Sequence, residues 1–417
     1  MRILQICKKF PYPLKDGEVI GIWMYSKGFH YHRHAVTILA MNTHKHFSHP
    51  ELVPNNWKNI ADIKSVDVNT NVHFGKVFLN LFRKSCYNID RFYSQKFVHQ
   101  LIQLLQTQEF DLIQLEGVYL SQYVSVIRKY SKAKIVLRTQ NVEFKIWERE
   151  ANSETFLKKK YLELMARRMK TYELNLLNLY DAIVPVSCSD GEIFKSVGCK
   201  IPMQVCEHGV DTNAVVISSL NSLSSDCEST IGQTQDDKRT EEFSVFHIGS
   251  MDWRPNLLGL EWFLENCWPI ILKEIPEAKL YLAGRNFPNS WKKKIIQNVV
   301  MVGEVENAAS FIQSKQVMIC PLHAGSGIRV KLMEGMSFGK AIVSTTIGAE
   351  GLPVENGKNI FIADDAFAFS NSVIQLLSKK ELRNSFETEA RKLAEQKFDY
   401  RVLISDLLNF YSELVKK

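Results

Sequence analysis

Short apolar runs bounded by polar residues recur through the first half of the chain. They are RILQIC (2–7), AVTILAM (35–41), DLIQLEG (111–117), KIVLRTQ (134–140) and DAIVPVS (181–187). Runs of this length, with little alternation, fit strands buried on both faces. Between them the spacing is helical, over 92–108, 119–130 and a longer stretch from about 154 to 180. Such alternation of strand and helix predicts a doubly wound sheet. The pattern then breaks. Residues 217–242, ISSLNSLSSDCESTIGQTQDDKRTEE, are rich in Ser, Thr and Asp and read as a flexible linker or insertion. Alternation resumes with FSVFHIGS (243–250), a helix over 256–274, AKLYLAG (278–284), VVMVGEV (299–305), VMICPL (317–322), AIVSTT (341–346) and NIFIAD (359–364). Helices over 366–378, 380–397 and 399–416 close the chain.

The expected fold class is therefore α/β, with two Rossmann-like domains, 1–216 and 243–398, facing across a cleft. In such sheets ligands bind beyond the carboxyl ends of the strands. Length agrees, because 417 residues exceed what one core usually organises. Hydrophobic content of 45% and charged content of 23% are those of a soluble globular protein. No run of about 18 apolar residues predicts a spanning helix. The opening MRILQICKKFPYP is too short for a signal-peptide core and reads as a first strand. The eight cysteines are scattered without a C-x-x-C, which predicts free thiols in a reducing compartment and a cytoplasmic protein.

Charge adds one feature. Residues 1–206 carry 29 lysines and arginines against 18 acidic residues, whereas the whole chain carries only +7. No zinc-finger spacing, RNP-type segment or helix-turn-helix supports a nucleic-acid partner. The stretch 154–180 combines KKK (158–160), Arg167, Arg168 and Lys170 with Leu157, Leu164, Met165 and Met169. A basic amphipathic helix can rest on an anionic membrane, here the inner face. A domain helix with a solvated basic face is the simpler reading. His30, His32, His34, His44, His46 and His49 crowd together but have no Cys or carboxylate motif at ligand spacing, so no metal site is expected.

The most informative stretch is HAGSGIRVKLMEGMSFGKAIVST (323–345). It follows a predicted strand, so its small residues fall at a strand's carboxyl end and a helix N-terminus. Unpaired N–H groups there favour an anion, and glycines let a phosphate approach the backbone. Arg329 and Lys331 would add fixed charge for a diphosphate. Glu334 could accept two ribose hydroxyls, as acidic residues do in dinucleotide folds. The plain structural alternative makes Gly325-Ser326-Gly327 a turn and pairs Glu334 with Lys331.

The segment GSGIRVKLMEGMSFGKAIVSTTIGAEGL resembles the donor-binding signature of family 4 (group 1) glycosyltransferases, which adopt the GT-B fold. FHIGSMDWRPNLLGLEWF (246–263), LYLAGRNFP (280–288) and MVGEV (301–305) resemble that family's preceding segments, in order. RTQNVEFKIWERE (138–150), YDAIVPVSCSD (180–190) and EHGVD (207–211) resemble landmarks of its first domain. The resemblance spans nearly the whole chain apart from 217–242. It implies a retaining, hexosyltransferase-like transfer from a nucleotide sugar, without metal or cofactor, to an acceptor glycan or lipid-linked glycan in polysaccharide biosynthesis. Gly17, Gly249, Ser326, Gly327, Arg329, Lys331 and Glu334 then fall at the donor. Asn141 and Glu143 are candidates for the acceptor side, and no nucleophile is assigned. The segment 399–417, with Phe398 and Tyr400 at its start, resembles the helix that crosses back onto the first domain. Three positions depart from the family pattern. Ser326 replaces the first glutamate of its pair, Gln140 replaces a histidine, and Ser250 replaces an arginine that neighbouring Arg254 is expected to supply. The same resemblance leaves open a nucleotide-sugar epimerase or a catalytically silent subunit.

Overall fold

The structure is a computed structural model that describes residues 1–14, 17–71, 86–153, 156–213, 240–292, 294–325 and 327–416. Ser326 and residues 217–239 of the expected linker lie outside them. Two compact units emerge, Met1–Gly209 with Tyr400–Lys417, and Val210–Asp399.

The first unit holds β1 (Arg2–Cys7), β2 (Ala35–Thr43), β3 (Asp62–Val68), β4 (Leu112–Glu116), β5 (Lys134–Thr139) and β6 (Ala182–Pro185). They form one sheet in the order β3-β2-β1-β4-β5-β6, all neighbours parallel. β1 is buried from Ile3 to Cys7, as a central strand covered on both faces must be. β3 is absent from the sequence expectation. Its residues DIKSVDV are mostly polar and only Val68 is buried, because an edge strand keeps one side wet. The helices that matter are α1 (Gly17–Tyr31), α2 (Gln95–Thr107), α3 (Glu143–Ser153) and α4 (Phe156–Leu176). α2 starts where Ser94 accepts from the Phe97 amide, and it buries Phe97, Leu101, Leu104 and Leu105 along one stripe. α4 turns Leu162, Met165, Ala166 and Met169 into the core. Its apolar side is thereby occupied, and Lys160 and Arg167 face water. The terminal helix (Tyr400–Lys416) joins the core of α1: Ile404, Leu407 and Tyr411 pack with Ile22 and Phe29.

The second unit holds β7 (Ser244–Ile248), β8 (Lys279–Ala283), β9 (Val299–Gly303), β10 (Val317–Cys320), β11 (Ala341–Ser344) and β12 (Phe361–Ile362), ordered β12-β11-β10-β7-β8-β9 and again parallel. The expected helix 256–274 is interrupted. α5 (Arg254–Trp262) runs into a wide π turn at Phe263–Cys267 before Trp268–Glu274 continues. Pro269 lacks the N–H that a regular helix would send back to the Glu265 carbonyl. α6 (Val330–Ser337) follows β10.

Candidate active site

In the second sheet the chain runs from β7 through β8 to β9, then crosses to β10 on the other side of β7. The carboxyl ends of β7 and β10 therefore form a switch point, the usual ligand position of such sheets. The turn after β10 has positive φ at Gly325 (117°) and Gly327 (85°). Residues with a Cβ rarely adopt either value. Arg329 stands at the N-cap position of α6 and is buried. Its guanidinium donates to the Gly327 carbonyl, and its centre lies 5.4 Å from the Trp253 ring. Burial lowers its pKa, yet an arginine stays charged at neutral pH.

Lys331, in the first turn of α6, donates to Asn256 Oδ1 at 2.8 Å and faces His247 Nε2 at 3.3 Å. An ammonium has no lone pair, so Nε2 must accept. Nδ1 then carries the proton and donates to the Ile319 carbonyl at 3.1 Å. Burial, then the charge of Lys331, hold the His247 pKa well below the ordinary range, so the ring is neutral. Asn256 completes the chain by donating from Nδ2 to the Ser250 carbonyl at 2.8 Å. Gly249 is required here, since a Cβ would lie 2.8 Å from Asn256 Nδ2. Among the described residues, both partners of the Lys331 ammonium are thus uncharged. Burial lowers its pKa as well.

Glu334 sits one turn further along α6, half-buried. Desolvation alone pushes its pKa up to about 7. Among the described residues no cation pairs with its carboxylate, and the alternative Glu334–Lys331 pair does not form, because Asn256 and His247 take the ammonium. Gly327, Arg329, Lys331 and Glu334 are therefore gathered on one turn and one helix, with Gly249 beside them through Asn256. Gly17 is the exposed first residue of α1, in the first unit. Arg254 is exposed at the start of α5, and the guanidinium that reaches Ser250 belongs to Arg285, whose Nε donates to Ser250 Oγ at 3.1 Å. Ser250 in turn donates to Asp252, whose pKa is lowered first by that bond.

The first unit has its own switch point, between β1 and β4. Lys8 and Lys9, just past β1, pair with Glu18 of α1 at 3.4 and 3.0 Å. The Lys8 ammonium lies 4.4 Å from the centre of the Tyr119 ring, and Tyr119 donates to Glu143 Oε2 at 2.8 Å. Glu143 opens α3, whose first amides are capped by Glu173 of α4, at 3.3 Å from Glu143 N and 2.8 Å from Phe144 N. Burial raises the Glu143 pKa, with Lys8 the main opposing influence. Burial also pushes Glu173 up to about 8. Asn141 is exposed on the loop before α3. Gln140 donates to Glu116 Oε2 at 3.3 Å. The histidines disperse: His34 meets the N-terminus at 2.7 Å, His32 the Arg401 carbonyl at 2.8 Å, and His49 meets Glu51 at 2.9 Å.

Residues 242–379 match the family model described as glycosyl transferases group 1. That stretch is similar to group 1 glycosyl transferases, and it includes the β10–α6 turn and every residue around Lys331. Among relatives, an uncharacterized 44.6 kDa protein in the cps region of Klebsiella pneumoniae is 25% identical over 173 residues, 39% of this chain and 45% of that protein. The capsular polysaccharide biosynthesis glycosyltransferase CapM of Staphylococcus aureus is 25% identical over 122 residues, 29% of this chain and 32% of CapM. The matches thus span less than half the length of these relatives. Among solved structures, HepE of Anabaena in complex with UDP has a TM-score of 0.63 at 14% identity, over 99% of this chain and 100% of that one. Sucrose-phosphate synthase of Thermosynechococcus elongatus has a TM-score of 0.67 at 13% identity, over 100% of both. The fold is GT-B.

Sequence reading missed His247, Asn256, Arg285 and Tyr119. FHIGSMDWRPNLLGLEWF and LYLAGRNFP carried three of them, but nothing in one dimension says which side chains a sheet will bring together. No helix of the described residues is long and apolar enough to cross a membrane.

Proposed function

We propose that the protein is a retaining glycosyltransferase that moves a sugar from a nucleoside diphosphate to an acceptor hydroxyl in polysaccharide or glycolipid assembly. The observation that carries this reading is the grouping of Arg329, Lys331 and Glu334 around a positive-φ glycine turn at the β7/β10 switch point. Arg329, Lys331 and the α6 N-terminus stabilise the leaving diphosphate, which needs no metal in this reading. Glu334 accepts the ribose hydroxyls. The acceptor attacks from the face the diphosphate leaves, so no protein nucleophile is required. Glu143 and Asn141, at the first unit's switch point, bind the acceptor. Capsule-related relatives favour a polysaccharide product, and the UDP-bound HepE structure makes uridine donors the first to test. Thermal shift against UDP-, GDP- and ADP-sugars, followed by assay of transfer to glycan acceptors, tests the reading. Binding of none of them would overturn it, and an epimer formed from donor alone would replace transfer by epimerisation.

The raised Glu334 pKa makes donor affinity depend on pH. Hydroxyls bond more strongly to the ionised carboxylate. With a pKa near 7 that form is scarce at pH 6 and dominant at pH 8. Affinity for the nucleotide sugar, whose diphosphate does not titrate in this window, should tighten by about tenfold from pH 6 to pH 8. Stability runs the other way. A carboxyl raised in the folded state favours folding most below its unfolded pKa, and this contribution fades as pH rises from about 4.5 to 7. Calorimetric titration at the two pH values checks the affinity, and a Glu334→Gln control should be flat across them.

The basic face of α4 is proposed to hold the protein at an anionic membrane surface carrying a lipid-linked acceptor. With its apolar side in the core, attraction must be electrostatic. Sedimentation with anionic liposomes should exceed that with neutral ones and vanish at about 0.5 M salt, where the screening length is only a few Å. Equal recovery with both lipids would remove the proposal.

A further inference from the structure

We propose that His247 and Asn256 are positioning residues that aim the Lys331 ammonium while leaving its charge unspent. This rests on the donor reading above, and extends it to two side chains that make no contact with donor. The ammonium is held at 2.8 and 3.3 Å by two acceptors on different elements, one at the end of β7 and one on α5. Two fixed acceptors leave a flexible four-carbon side chain little freedom. Neither acceptor is free to turn. His247 is fully buried and anchored through Nδ1 to the Ile319 carbonyl of β10, and Asn256 is buried and anchored through Nδ2 to the Ser250 carbonyl. The tautomer and the amide orientation are therefore both set by backbone. A carboxylate in either place would hold the lysine equally well but would neutralise it before any anion arrived. Neutral acceptors fix position and leave the third N–H and the full charge for a phosphate oxygen. Gly249 serves the same arrangement, because a side chain there would strike Asn256.

Two readouts test this, one without nucleotide. In His247→Leu, Lys331 loses an anchor, so its acetylation by acetic anhydride, read by peptide mass spectrometry against a surface lysine, should speed up by roughly fivefold or more. His247→Gln, which offers an acceptor near the Nε2 position, should stay within about twofold of wild type. Titration with UDP should show the Leu variant weakened by about tenfold and the Gln variant by less than threefold, with uridine affinity unchanged in both. Lys331→Ala combined with His247→Leu should bind UDP no worse than Lys331→Ala alone, as residues acting through one another are non-additive. Unchanged labelling of Lys331 in the Leu variant would overturn the proposal, as would equal loss of UDP and uridine binding or additive effects in the double variant. Should wild type bind no nucleoside diphosphate, the donor reading fails while the labelling ratio still decides the positioning role. Circular dichroism of each variant establishes that it is folded.

Discussion

Glu334→Gln should weaken nucleotide-sugar binding at pH 8 by about 10- to 100-fold while making the protein harder to unfold. Hydrogen bonds to a charged acceptor contribute roughly 1.5–3 kcal/mol and neutral ones about 1. Two ribose bonds falling from one class to the other lose around 1–3 kcal/mol, and about 1.4 kcal/mol is tenfold in affinity. The gain in stability has a separate origin. The free enzyme holds this carboxylate desolvated, with a pKa near 7 instead of 4.5, and with no cation beside it among the described residues. Each unit of such a shift corresponds to roughly 1.4 kcal/mol. Partial solvent access reduces the total, so an increase of about 1–3 kcal/mol at pH 8 is expected. Lys331→Ala should behave differently. Its loss should appear with nucleoside diphosphate and nucleotide sugar but not with the nucleoside. Were Glu334 a plain surface residue, Gln would leave donor affinity unchanged, and that result would remove the donor assignment.

The outcome separates what a sequence displays from what a fold assembles. A strand such as β10 announces itself because burial on both faces leaves four apolar residues in a row. β3 does not, since an edge strand with DIKSVDV looks like a loop until it pairs with β2. The same division holds at the site. Arg329, Lys331 and Glu334 lie within one turn and one helix, so their cooperation is visible in a single line of text. His247 and Asn256 stand 84 and 75 residues from Lys331 and are delivered to it by sheet order alone. Arg254 is the arginine nearest Ser250 in sequence. Arg285, one strand over, is close in space.

The first unit contains the arrangement most sensitive to a single change. Arg138 and Glu116 are both fully buried and joined at 2.6 Å, at the ends of adjacent strands β5 and β4. The carboxylate also accepts from Gln114 Nε2 at 2.5 Å, Gln5 Nε2 at 3.2 Å and Gln140. The guanidinium lies 3.9 Å from the centre of the Tyr25 ring. Burial by itself disfavours the charged arginine, but Glu116 and Tyr25 outweigh it and raise its pKa. The network reaches further, since Tyr411 of the terminal helix donates to Gln114 Oε1 at 2.6 Å. Arg138→Met fills much of the space but strands the Glu116 charge in the core. Removing one partner of such a pair typically costs about 3–5 kcal/mol. At roughly 2–4 °C per kcal/mol for a unit of this size, the melting temperature should fall by about 6–20 °C. Adding Glu116→Gln removes the orphan charge, and the amide oxygen, in the place of Oε1, can still accept from Gln114 and Gln5. The double variant should therefore be more stable than Arg138→Met alone, although it carries one more substitution. Loss of side-chain volume alone predicts the reverse order. Thermal unfolding of the two variants and wild type at pH 8 distinguishes these cases, and a double variant less stable than the single would show that the Glu116 charge is not what Arg138 is there to balance.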